Sequence, residues 1–226
     1  MISKLVKIYV HIIGLRNRIN KEHIKKRLTD LEQIQSITNI NFEISFKHEM
    51  CTKQLSVCTT QKGKILFSKS WATRYVLTGN PLIYNAFLFA LGHEYAHGFD
   101  YVDKSLKDKL SKQLVKWAIE VYNDMYSKRR FRFSNQMIED IIDYRIEDKP
   151  KNSKSLINTY SHPSWYKRKL WLTQYDNYNK ILLNDIASEI YSDSKVSKNI
   201  IENNQYSNII DNIFSYYKNV EKTLEI

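Results

Sequence analysis

From Leu82 to Leu91 the chain is apolar on every face of a helix, and Pro81 stands where the first helical turn favours it. A helix with no side to offer to water must run through the centre of a domain, with other elements packed around it. Polar groups then follow at its end: His93-Glu94-Tyr95-Ala96-His97. In apolar surroundings two imidazoles and a carboxylate are costly unless something holds them.

Residues four apart on a helix lie one turn above the other on the same face, so His93 and His97 can both point at one tetrahedral zinc. Glu94, next to the first imidazole, is placed to take a proton from a metal-activated water that attacks a carbonyl, and to pass it to the leaving amine. The expected cofactor is Zn2+. Manganese, cobalt or iron suit similar ligands.

A third ligand must come from elsewhere, and two candidates compete. Glu139 lies on a separate predicted helix, with Asp143 one turn on to accept a hydrogen bond from the far nitrogen of a ligand imidazole. Asp103, six residues beyond His97, has the offset at which a ligand can follow a glycine-mediated turn, but Asp100 occupies the turn position. Asp100 and Asp103 are alternatively capping or orienting groups.

The rest of the chain predicts an α+β, mainly helical fold with a small antiparallel sheet over the buried helix. Ile24, Leu28, Leu31 and Ile34 mark an amphipathic helix over Lys21 to Ile37. Asn41 to His48 alternates in the period of a half-buried strand, and Leu55 to Thr60 and Lys64 to Ser68 read as two more, joined by a hairpin through Gly63. Later helices are expected from Ser105 and Asp108 to the basic run Ser127 to Arg132, from Ser134, and from His162-Pro163-Ser164. The remainder reads as helix with loops near Ser192 to Ser197 and Asn203 to Gln205. With 226 residues and 42% hydrophobic content, one folding unit is expected, in parts 1–80, 81–148 and 149–226.

The N-terminus, Met1 to Ile13, is apolar but broken by Lys7 and His11 and makes a poor signal peptide; no run approaches the roughly 18 apolar residues of a membrane span. A cytoplasmic protein with Cys51 and Cys58 reduced is expected. The net charge of +11 favours polyanionic partners such as nucleic acid or phospholipid, yet the Lys and Arg residues are scattered. A basic nucleic-acid-associated or regulatory protein with a structural or silent metal site is therefore the alternative to a peptidase acting on peptide or protein substrates.

The HExxH of His93 to His97, followed by Glu139-Asp140-Ile141-Ile142-Asp143 as an ExxxD, resembles the gluzincins of the thermolysin-like superfamily. Ser161-His162-Pro163-Ser164, with Arg168 after it, is similar to a segment of the CAAX-prenyl and heat-shock membrane-peptidase branch. The likeness spans roughly residues 64 to 172, and soluble minigluzincin-like peptidases are the better comparison. It implies a zincin-like fold and zinc held by His93, His97 and Glu139. It also implies that Glu94 is the base, that His162 bonds the oxyanion, and that Arg168 positions His162 or the supporting carboxylate Asp143. It further implies that Ile65-Leu66-Phe67-Ser68 edges the cleft and pairs with an extended substrate.

Overall fold

Two helices open the chain, α1 (Lys4–Arg16) and α2 (Lys21–Thr38). They are joined so closely that a methyl group at Gly14 would lie 2.6 Å from Ile24 Cδ1. The computed structural model describes residues 1–46, 55–60, 63–193 and 205–224. Cys51, the loops expected at 194–197 and 203–204, and parts of the first strand and the hairpin link fall outside them. The described chain forms two compact units. The first comprises Met1–Gly98 and Asp140–Lys149, and the second comprises Phe99–Glu139 and Pro150–Ile226.

In the first unit β1 (Phe42–Ser45), β2 (Val57–Thr59) and β3 (Ile65–Ser68) form a sheet in the order β1-β3-β2. The hairpin makes β2 antiparallel to β3, with Thr60 N donating to Lys64 O at 2.9 Å and Gly63 supplying the positive φ of the turn. β1 runs parallel to β3, with Phe42 opposite Ile65. The sheet is therefore mixed, not antiparallel as expected. Alternation of apolar and polar residues reads the same in either direction, so the sense of a strand is legible only where a tight turn fixes it, as between β2 and β3.

Ser68 then begins α3 (Lys69–Thr78), which ends on Gly79 in the left-handed conformation, and Asn80 caps α4 (Pro81–Ala96) by accepting from Leu82 N at 2.8 Å. Ile83, Ala86, Phe87, Ala90 and Leu91 of α4 are buried, whereas Leu82, Tyr84, Asn85 and Leu88 are half-buried, so the helix is enclosed on most of its faces and not on all of them. Phe87 stacks on Phe67 at 4.1 Å between centroids, with Phe42 and Trp71 edge-on around it, and this aromatic knot seats the sheet on α4.

The second unit is built on α5 (Lys109–Arg130). Its N-cap is Asp108, which accepts from Ser111 N at 2.7 Å, whereas Ser105 bonds to Asp103 in the preceding turn. Beyond α6 (Asn135–Glu147) come α7 (Trp165–Gln174), α8 (Lys180–Asp193) and α9 (Gln205–Thr223). Tyr122 of α5 stacks on Tyr217 of α9 at 3.7 Å, and Tyr178 meets both edge-on while its hydroxyl donates to Ala118 O. The buried Lys128 ammonium donates to Leu172 O at 2.7 Å, which ties the end of α5 to the C-terminal turn of α7. The fold is mainly helical α+β, as the sequence predicts.

Candidate metal centre

The HExxH motif occupies the last turn of α4, with His97 as its C-cap. His93 is buried and His97 half-buried, and their rings meet edge to face with centroids 4.9 Å apart. Both imidazoles therefore leave the same side of the helix, as the four-residue spacing requires. Glu94 is held from the sheet. Thr59 on β2 places its hydroxyl 2.9 Å from Glu94 Oε2 and 3.0 Å from the Glu94 carbonyl oxygen, and its one proton can serve either. Cys58, the neighbour of Thr59, has its thiol pushed up by burial and then by the charge of Glu94.

A third donor joins the two imidazoles, and it is Glu120. One ring nitrogen of His93, one of His97 and a carboxylate oxygen of Glu120 lie within 4.8 Å of one another. Glu120 sits on α5 and is 6% exposed, too little for water to solvate a carboxylate. Protein groups take the place of that water. His162 brings Nε2 to 3.3 Å from Glu120 Oε1, and Arg168 brings a guanidinium nitrogen to 3.6 Å from Oε2. Ser161 Oγ lies 2.7 Å from His162 Nδ1. These distances suit the tautomer in which Nε2 donates to Glu120 and Nδ1 accepts from the serine.

One turn after Glu120 comes Asp124, fully buried. Arg168 grips it with two charge-assisted hydrogen bonds, Nε to Oδ2 and Nη2 to Oδ1, both 2.6 Å, while its guanidinium lies over the Trp165 ring at 3.9 Å. Glu120, Asp124, His162 and Arg168 thus form one connected polar cluster. Its donors and acceptors answer one another, which is the condition under which such a cluster survives burial.

The residues expected to supply the third ligand lie elsewhere. Glu139 is half-buried and lines an open groove with Tyr166, Lys167, Lys169, Leu170 and Thr173. Asp143 is half-buried on α6, and neither belongs to the three-donor group. Asp103 takes its alternative role as a turn residue. It accepts from Ser105 N at 2.8 Å and Ser105 Oγ at 2.6 Å, and these bonds with the Tyr101 hydroxyl hold its carboxyl below the usual range. The strand expected to receive substrate is also corrected. Ile65-Leu66-Phe67-Ser68 is the central strand β3, bonded on one side to β1 and on the other to β2, so it has no edge to offer. Among the described residues, the edge strand beside Glu94 is β2.

Glu120 left a signal that periodicity alone passed over. In Trp117-Ala118-Ile119-Glu120-Val121-Tyr122-Asn123-Asp124-Met125-Tyr126, two carboxylates one turn apart stand in a stretch that is otherwise apolar or aromatic except for Asn123. On Asn135 to Glu147 the acidic residues alternate with Gln, Tyr and Arg, and a solvated face accounts for them. Compared with known protein families, characterised proteins and solved structures, the chain matches none.

Proposed function

We propose that the protein is a zinc-dependent peptidase in which His93, His97 and Glu120 hold the metal. The grouping of two imidazole nitrogens and one carboxylate oxygen within 4.8 Å carries this reading. Two nitrogens and one oxygen are the donor set of a catalytic zinc with an open position, and a Glu that directly follows the first His stands beside that position. Bound there, zinc supplies Lewis acidity to a substrate carbonyl and to water.

The remaining work falls to this chain's own groups. Glu94, steadied by Thr59, takes a proton from the attacking water as the new C–O bond forms, and delivers it to the amine nitrogen as the C–N bond breaks. His162 has one ring proton in this tautomer, on Nε2, and that proton turns from Glu120 to the carbonyl oxygen as charge develops there, while Ser161 holds the other nitrogen. Arg168 keeps Glu120 and Asp124 in place. In this reading Glu120 and Asp124 are the ExxxD pair of the gluzincin resemblance, in place of Glu139 and Asp143. The open side of β2 takes the role first expected of β3, pairing an extended peptide by main-chain hydrogen bonds.

Metal content and proteolysis test this together. Protein purified without added metal and then reconstituted should hold about one zinc per chain. His97→Ala and Glu120→Ala should lose it and Glu139→Ala should keep it. Glu94→Gln should retain zinc while hydrolysis of denatured casein falls by about a hundredfold or more. Wild-type protein that takes up no zinc, or hydrolysis indifferent to both chelation and Glu94→Gln, overturns the proposal.

A further inference from the structure

Helix α1 has two apolar faces. Val6, Val10 and Gly14 are buried in the first unit. Leu5, Ile8, Ile12 and Leu15 repeat at spacings of three and four along the other side. They are 68%, 49%, 46% and 40% exposed. Scattered exposed leucines need no explanation, but a continuous stripe about 15 Å long on one helix does.

The charges around the stripe indicate what covers it. At about 100° per residue, Lys4 and His11 fall along one margin and Arg16 along the other. Lys4 and Arg16 are exposed, Arg18 follows at the helix end, and α1 contains no acidic residue. Lys7 lies farther round and is occupied by Glu32 at 2.5 Å. The whole chain carries +11, so a second copy approaching this face would meet charge of its own sign. An apolar stripe fringed by cations is complementary to a surface with anionic groups outside and hydrocarbon beneath. Among the described residues no helix is long and apolar enough to cross a membrane, so attachment through α1 would be to one face of a bilayer.

We propose that α1 docks the protein onto an anionic lipid surface. The helix lies in the plane of the interface, with Leu5, Ile8, Ile12 and Leu15 at the acyl boundary and Lys4 and Arg16 among the headgroup phosphates. This proposal is independent of the metal.

Cosedimentation of the full chain with vesicles tests it, using phosphatidylcholine alone and equal parts of phosphatidylcholine and phosphatidylglycerol. Partitioning onto the anionic vesicles is expected to be about tenfold stronger or more, and to weaken with added salt. The combined variant Leu5→Gln, Ile8→Gln, Ile12→Gln and Leu15→Gln should bind at least about tenfold less well, with an unchanged circular dichroism spectrum. Lys4→Gln with Arg16→Gln leaves every apolar side chain in place and should lose roughly fivefold per charge removed, on anionic vesicles only. No partitioning of wild type, or binding that both variants leave intact, overturns the proposal. A concentration-dependent dimer abolished by the glutamine variant also overturns it and gives the stripe to a second copy.

Discussion

Asp124 is the most deeply buried carboxylate of the polar cluster, and the Arg168 fork meets both its oxygens. Taking one partner from such a pair costs more than the pair contributes, because the other charge is left in the core without water. Arg168→Met should therefore lower stability by about 3–5 kcal/mol, read as a shift of the urea midpoint. A loss under about 1 kcal/mol would mean that solvent reaches Asp124. The importance of Arg168 could be expected from its place after the His-Pro-Ser segment. Its partners could not, because nothing in linear spacing says which of several acidic pairs one turn apart faces a residue 44 positions further on.

The elements were the most legible level, and local chemistry explains why. Pro81, Asn80, Gly79 and Gly63 mark boundaries by what their own backbones and side chains can do. Asp108 is another such marker, with a consequence for acid stability. Burial raises its carboxyl, but the bonds from Ser111 and neighbouring main-chain N–H groups outweigh that and hold it below the ordinary value. A carboxyl lowered by folding contributes stability that is present above the unfolded pKa of about 3.9 and is lost as pH falls through the folded value. Asp108→Ala should cost about 1 kcal/mol at neutral pH. Urea unfolding at a series of pH values should show that difference constant above about pH 5 and shrinking below about pH 4. A difference that persists at the lowest pH would place the effect outside the cap. Helix α1 was not anticipated because it is apolar on both faces, and composition alone does not separate such a helix from a poor signal peptide.

At the scale of the whole molecule, each unit has its own core: the knot of Phe42, Phe67, Trp71 and Phe87 in one, and the cluster of Tyr122, Tyr178 and Tyr217 in the other. A ligand that binds only the folded chain stabilises it by mass action. Free zinc at about a hundred times its dissociation constant should add about 2.7 kcal/mol, raising the melting temperature by about 5–10 °C. Scanning calorimetry should show that rise in wild type and in Glu139→Ala, and none in His97→Ala. A rise that survives His97→Ala would mean that zinc binds at another site.

The residue order was enough for what is short in range: that α4 is a largely buried helix, that His93 and His97 share a face with Glu94 beside them, and that helices carry most of the chain. Helical period and capping act over a few residues, so their outcome is written locally. The direction of β1, the loss of β3 as an edge and the grouping of Glu120, not Glu139 or Asp103, with the two imidazoles were decided by tertiary structure. Each depends on which distant segment packs against which, and a polar side chain becomes a candidate ligand only when that packing removes the water that would otherwise satisfy it.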